Sequence, residues 1–322
     1  MIKLKPLARK LLASVYPQVL KSKSVVVNLF ADGPCNSRCL WCINQYSLSE
    51  KMVVGKLTFV NLKRFLDFNE DNKFPLITYG QSEPTIHKEF VPFCNYILDR
   101  GWNIEGIHTD LSSPFLKNDV FRTITRFHYV TINFGGAKIA TQLRNMGTDL
   151  NVVLGNLKRL VELSEGSRLR ICVKMVLNRN NVDEAGMLKH KLSKISSRIE
   201  FSTAPLYFSV SDGSEEDKRL FFDRNLSTFD GRVDGRVPCR EYVFLDGGRV
   251  VTSSRLRHCY GLIPTVRFNG DVVVCCRARW YGGVVGNAFV SPLKEILESD
   301  EYKFAESRAL KREYVQYCKF CS

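Results

Sequence analysis

The stretch VVVNLFADGPCNSRCLWCIN (residues 25–44) decides how this chain folds. It opens on a β-branched run, residues 25–30, that reads as a buried strand. It then passes Gly33-Pro34, a turn signal, into Cys35, Cys39 and Cys42, spaced Cys-x3-Cys-x2-Cys. The next periodic segment, LTFVNLKRFLDF (57–68), has the three-to-four spacing of an amphipathic helix. A strand, a thiol-bearing loop and a helix, in that order, form the first βα unit of a repeating series.

The series continues downstream. LITYG (76–80), NIEGIHT (103–109), HYVTINF (128–134), LRICVKMVL (169–177) and RIEFST (198–203) read as strands. KEFVPFCNYILDR (88–100), LNVVLGNLKRLVELS (150–164) and VDEAGMLKHKLSKI (182–195) read as helices, with a weaker one over 115–125. Six strands joined by crossover helices predict a right-handed parallel α/β array, either an open barrel or a doubly wound sheet. Ligands in such arrays sit beyond the C-terminal ends of the strands. From about residue 209 the texture changes to a polar linker and then to short strands with hairpin turns, EYVFLDGGRVVTSS (241–254) and TVRFNGDVVVCC (265–276), followed by a helix with Pro292 in its first turn. This second, β-rich part has little core of its own and is expected to need a metal staple.

Composition narrows the class. The 322 residues are 44% hydrophobic and 25% charged, which excludes collagen-like, low-complexity and disordered chains. Eleven cysteines, an odd number in close triplets and pairs, do not resemble the framework of a small secreted disulfide protein; reduced thiols in a cytoplasmic protein are the expectation. No stretch approaches the roughly 20 apolar residues of a membrane span. The net charge is +14, and two segments carry eleven of those charges: residues 1–24, with six Lys/Arg and no acid, and residues 236–279, with eight Arg against three acids. The first has the period of a basic amphipathic helix, which either closes the main domain or touches an anionic membrane surface peripherally. The second, Arg-rich segment predicts an anionic substrate.

Three thiolates on one loop can hold three irons of a cubane cluster and leave the fourth open, the mark of a reactive site; a zinc site missing a ligand is the alternative. The second strand runs into Gly80-Gln81-Ser82-Glu83-Pro84, a turn expected to offer backbone groups and the Glu83 carboxylate to a ligand's ammonium group. A second set, Cys259, Cys275, Cys318 and Cys321, includes Gly270-x4-Cys275 and a Cys-x2-Cys pair, and fits a closed zinc site or an auxiliary iron-sulfur cluster. Cys276 could replace Cys275. Cys94 and Cys172 read as small buried hydrophobes. Asp110, ending the third strand, points to substrate or caps the following segment.

Together the cysteine triplet, with Trp41 before its third thiol, and the Gly80…Glu83-Pro84 turn resemble the radical S-adenosylmethionine (SAM) superfamily. Gln81 and Ser82 depart from that family's Gly-Gly-Glu-Pro pattern. The Cys259…Cys321 arrangement resembles the SPASM and twitch modules. The resemblance implies a partial (β/α)6 barrel over residues 25–210, a linker over 211–235 and an auxiliary domain over 236–322 with one auxiliary [4Fe-4S] cluster. It implies that the triplet holds a [4Fe-4S] cluster whose open iron is chelated by SAM. It also implies that the turn at 80–83 contacts the methionine, that Asn133 and Lys174 contact ribose or carboxylate, and that the backbone near Ile43 contacts adenine. An electron donor such as flavodoxin or ferredoxin would start the reaction.

What the resemblance implies for activity is reductive cleavage of SAM to a 5′-deoxyadenosyl radical, which takes a hydrogen atom from a C–H bond of the substrate. Electron transfer to the auxiliary cluster would give oxidation; hydrogen return from Cys239, in the Arg-flanked VPCREY segment, would give epimerisation. A sugar or cyclitol substrate carrying phosphate is the first expectation. An acidic peptide matured by cross-linking or epimerisation, and a nucleic acid, are the alternatives. The reading from a different class is a non-catalytic metal-stapled protein whose basic surface binds nucleic acid.

Overall fold

The computed structural model describes residues 25–27, 35–42, 55–78, 82–178, 180–205, 242–245, 249–252, 264–275, 283–311 and 313. The expected N-terminal helix (1–24) and linker (211–235) lie outside the described residues. In chain order the elements are β1 (Val25–Val27), α1 (Phe59–Phe68), β2 (Leu76–Thr78), α2 (Phe90–Asp99), β3 (Ile104–Thr109), α3 (Asn118–Ile124), β4 (Tyr129–Phe134), α4 (Ile139–Met146) and α5 (Leu150–Leu163). Then come β5 (Arg170–Leu177), α6 (Ala185–Ser193), β6 (Ile199–Pro205), β7 (Tyr242–Leu245), β8 (Arg249–Thr252), β9 (Thr265–Val266), β10 (Asp271–Val273), β11 (Val284–Asn287), α7 (Leu293–Glu298) and α8 (Asp300–Leu310).

Strands β1 to β6 pair in sequence order and in parallel. With right-handed crossovers, a sequential order puts every crossover helix on one face and leaves the other open, which is the geometry of a partial barrel. Burial follows that division. On β5, Ile171, Val173, Met175 and Leu177 are buried in the core, while Cys172, Lys174 and Val176 on the alternate face are half-exposed. The core includes Phe65, Phe90, Phe93, Phe121, Phe127 and Phe134, all fully buried, with edge-on packing of Phe90 against Phe127.

Helix starts follow local chemistry. Thr58, Asp149 and Ser299 each accept the backbone N–H of a first-turn residue of α1, α5 and α8. The helix expected after Pro292 is α7, and α8 follows it, with Ser299 ending the first and capping the second.

The β-rich C-terminal part has little core of its own, as expected, and packs onto the barrel. β9 pairs in parallel with β1 (Val26 with Thr265, Val27 with Val266), and β10 and β11 add antiparallel strands outward, giving one sheet ordered β11-β10-β9-β1-β2-β3-β4-β5-β6. Val266, Val272, Val273, Leu293, Ile296, Leu297 and Tyr302 belong to the same hydrophobic cluster as the barrel residues. The C-terminal strands and helices therefore share the barrel's hydrophobic cluster. Only β7 and β8 form a separate two-stranded hairpin among the described strands. The Asn269-Gly270-Asp271 turn closes the β9–β10 hairpin with Gly270 at φ 89°, in the left-handed region that glycine adopts without steric cost. No described helix is long and apolar enough to cross a membrane.

Candidate iron-sulfur and cofactor site

The cysteine loop is fixed from two sides. On one side the backbone N–H groups of Arg38 and Leu40 donate to the carbonyls of Met146 (2.7 Å) and Asn145 (2.9 Å), the last turn of α4. That helix ends in Gly147 at φ 68°, and a Cβ there would lie 3.1 Å from the Cβ of Arg38, so glycine lets the loop approach. On the other side Asn36 Nδ2 donates to Ser112 Oγ (2.7 Å), and the Ser37 hydroxyl donates to Asp110 Oδ2, both just past β3. Inside the loop the Cys42 N–H bonds to the Cys39 carbonyl (2.9 Å).

The α4 anchor is itself held by buried amides. Gln142 Oε1 accepts the N–H groups of Gly135 (2.8 Å) and Gly136 (3.0 Å), and its amide donates to Thr148 Oγ1 (2.8 Å). Asn145 and Asn181 both donate to the Gly135 carbonyl (2.6 and 2.8 Å). Gln142 and Asn145 are fully buried. Buried polar groups satisfied in this way rigidify what they touch.

The thiols feel one another and the acids nearby. Although Cys35 is exposed as a residue, burial around its thiol pushes it up to about 12; a backbone hydrogen bond at Ser37 works against this, and Asp110, Glu83 and Cys42 add to it. Cys39 is pushed well up by burial, then by Cys42, Asp110 and Cys35. Three soft sulfur donors whose thiolate charges repel one another, beside two acids, lose their protons to solvent only when a cation binds the thiolates. The donor set therefore fits iron bound by thiolate. Among the described residues no group of three or more His, Cys, Asp or Glu side chains is placed to hold a metal ion.

Glu83 departs from expectation. Its carboxylate is 3% exposed and faces the protein: Oε1 accepts from Thr85 N (3.1 Å), Thr85 Oγ1 and Thr109 Oγ1, and Oε2 accepts from Asp110 N (2.7 Å). Burial, with Asp110 close by, pushes its pKa well up. The cause is the short 3₁₀ turn Pro84–Ile86, which Glu83 caps and which turns the side chain inward. Ser82 is half-buried and bonded; Gly80, Gln81 and Ile43 lie outside the described residues. Trp41 is half-buried within the loop.

Asp110 is 5% exposed. Of its two expected roles the local one is seen: Oδ1 accepts the Ser112 N–H (3.1 Å).

The open face of the sheet carries the remaining candidates. Asn133, Lys174 and Ser202 stand in register across β4, β5 and β6; one row toward the strand N-termini stand His108, Thr131, Cys172 and Glu200. Burial holds Lys174 below the usual lysine range. Burial and Lys174 push His108 down to about 3, so it is neutral at physiological pH. Cys172 is half-exposed on this face rather than packed in the core, and its thiol lies 3.7 Å from Glu200 Oε2. Burial and Glu200 raise it to about 11. Glu200 is held in a two-pronged pair by Arg170 (2.9 and 2.7 Å). Cys94, by contrast, is fully buried on α2 as expected.

Of the second thiol set only Cys275 is described. It is half-buried just past β10, close enough to Tyr302 on α8 to help raise that phenol's pKa, after burial and Glu306. Cys239, Cys259, Cys276, Cys318 and Cys321 lie outside the described residues. Sequence reasoning missed Asn36, Ser37, Thr109, Ser112, Gln142 and Asn145. The polar pair between the first two cysteines and the Thr-Asp-Leu-Ser-Ser run (109–113) at the end of β3 were the available signals.

Residues 262–322 match the SPASM family, an iron-sulfur cluster-binding domain. No curated protein matches the sequence. Solved structures match over nearly the whole chain. Streptococcus suis SuiB bound to precursor peptide SuiA aligns with TM-score 0.59 and 14% identity over 98% of this chain and 74% of that one. Native anSMEcpe with bound AdoMet aligns with TM-score 0.58 and 15% identity over 92% and 87%. BtrN in complex with AdoMet and 2-DOIA aligns with TM-score 0.54 and 13% identity over 93% and 92%. The chain thus has the fold shared by these S-adenosylmethionine-bound and peptide-bound structures, and its residues 262–322 match an iron-sulfur cluster-binding domain.

Proposed function

We propose that the protein is a radical SAM enzyme that takes a hydrogen atom from a C–H bond of an anionic substrate. The observation that carries this reading is the thiol loop, clamped between the ends of β3 and α4 with three thiols electrostatically coupled. Cys35, Cys39 and Cys42 would hold a [4Fe-4S] cluster with one open iron, and SAM would be the co-substrate. When bound, these groups supply one-electron reductive cleavage of a sulfonium and, through it, hydrogen abstraction from an unactivated carbon.

The chain's own residues do the positioning. Backbone groups of the turn at residues 80–83 serve the methionine amino group, while Glu83 faces inward onto Thr109 and Asp110. Asn133 and Lys174, side by side on the open face, serve ribose and carboxylate. Neutral His108 lies one row below and adds no competing charge. Cys259, Cys275, Cys318 and Cys321 would hold the auxiliary cluster, and a flavodoxin or ferredoxin would deliver the electron. The excess of 47 Lys/Arg over 33 Asp/Glu supports an anionic substrate, a phosphosugar or cyclitol that is oxidised or epimerised. A second reading, an acidic peptide, is supported by the fold likeness to SuiB, whose structure holds a precursor peptide.

Under a strong reductant the reconstituted protein should convert SAM to 5′-deoxyadenosine, and Cys35→Ala/Cys39→Ala/Cys42→Ala should abolish it; persistence in that variant sinks the assignment. Turnover in deuterated water then separates the outcomes. Deuterium in a product of unchanged composition, lost in Cys239→Ala, indicates epimerisation; a product two hydrogens lighter indicates oxidation.

A further inference from the structure

We propose that Ser37 and Asp110 form a positioning brace that seats the cluster-binding loop, with Glu83 as its buried anchor. The inference rests on the radical SAM reading of that loop, and assigns Asp110 a structural job at the cofactor rather than a contact with substrate. Asp110 is the residue at which three segments meet. Its Oδ2 takes the hydroxyl of Ser37, between Cys35 and Cys39; its Oδ1 takes the Ser112 N–H; its own N–H goes to Glu83 Oε2 at 2.7 Å, in the turn after β2.

The backbone around Asp110 is built to hold this arrangement. Thr109 donates its hydroxyl to Glu83 Oε1 and also accepts the Leu111 N–H at 3.0 Å. Leu111 follows at φ 50°, in the left-handed region that a leucine adopts only when its surroundings force it, and it is fully buried. Asn156, from α5, donates to the carbonyls of Leu111 (2.7 Å) and Ser113 (2.8 Å) and closes the bend. With Asn36 on Ser112, β3's end grips the loop through two side chains, while α4's end grips it through two backbone bonds. The two grips differ in kind. The α4 contacts use main chain and tolerate substitution, whereas the β3 contacts depend on side chains, Ser37 on Asp110 and Asn36 on Ser112. The brace also links the turn that would hold SAM to the loop that would hold the cluster, because Asp110 bonds the loop through its carboxylate and Glu83 through its backbone N–H.

The test uses the full chain, anaerobically reconstituted, with Ser37→Ala, Ser37→Thr, Asp110→Ala and Asp110→Asn. A lost hydrogen bond to a charged acceptor should speed removal of iron by a chelator roughly tenfold or more in Ser37→Ala and Asp110→Ala. It should also broaden the electron paramagnetic resonance signal of the reduced cluster and raise the SAM KM more than it lowers kcat. Ser37→Thr restores the hydroxyl, and Asp110→Asn can still bond to both Ser112 and Ser37; each should stay within about threefold of wild type. The Ser37→Ala/Asp110→Ala pair should be no worse than Asp110→Ala alone, because that variant already removes the Ser37 contact along with the Ser112 one. Ser37 is in a half-exposed loop, so its variants report even if Asp110→Ala fails to fold. Wild-type chelation kinetics and spectrum in Ser37→Ala overturn the brace. So does a loss of kcat alone in Asp110→Asn, which would return Asp110 to substrate. A wild-type protein that takes up no cluster overturns the parent reading as well, and so is distinguishable.

Discussion

Asn69→Ala tests whether the C-terminal strands and helices share a core with the barrel. Asn69 is 1% exposed at the end of α1; its amide donates to the Phe65 carbonyl (2.7 Å) and its oxygen accepts the Leu293 N–H (2.8 Å), 224 residues away at the start of α7. Alanine removes both bonds and orphans the buried Leu293 N–H. One ordinary bond plus one orphaned buried donor costs about 2–4 kcal/mol. With an unfolding entropy of roughly 2.1 cal/mol/K per residue, a 322-residue unit loses about 3–6 °C in Tm. Asn69→Asp keeps the acceptor for Leu293 and should recover about half of the loss. The assay is thermal unfolding, paired with hydrogen exchange of α7 and α8. A single transition shifted down, with faster exchange over 293–310, is expected. An unchanged Tm and unchanged exchange in those helices would refute the shared-core reasoning.

Three further outcomes follow from the site. His108 is depressed from 6.5 to about 3, so between those pH values the unfolded chain binds the extra proton and stability falls by up to about 1.4 kcal/mol per pH unit as pH drops; His108→Gln should flatten that part of the denaturation profile, and an unchanged slope would contradict it. Cys172, raised to about 11, should be ionised at roughly one part in a thousand at pH 8, so its alkylation, followed by peptide mass analysis, should accelerate about tenfold per pH unit up to pH 10; a plateau below pH 9 would contradict it. Gly135→Ala places a Cβ 2.7 Å from Met146 Cγ and 2.9 Å from Asn145 Cβ, displacing the end of α4 that anchors Arg38 and Leu40; the expected result is a folded protein with markedly lower iron content after reconstitution, and wild-type iron would count against the anchor.

The strands and the larger helices were legible because their burial is hydrophobic and periodic. α4 was not, since its exposed positions are Ile139 and Leu143 while its buried face is Gln142, Asn145 and Met146, the reverse of the pattern that periodicity detects. The cysteine triplet announced itself by spacing. The inward turn of Glu83 could not be read, because it depends on donors from Thr109 and Asp110, a strand away. Cys172 was misread as core because a lone thiol in a strand carries no mark of which face it takes; only the register with Thr131 and Glu200 settles it. The parallel pairing of β9 with β1 joins segments from opposite ends of the chain and leaves no local signature.

The central claim is that Cys35, Cys39 and Cys42 hold a cluster whose open iron takes SAM. Electron-nuclear double resonance on the reduced, reconstituted protein with SAM carrying ¹⁵N at its amino group tests it directly. The account predicts a ¹⁵N coupling to the cluster in wild type that is absent from Cys35→Ala/Cys39→Ala/Cys42→Ala. A fully iron-loaded wild type with no such coupling would contradict it.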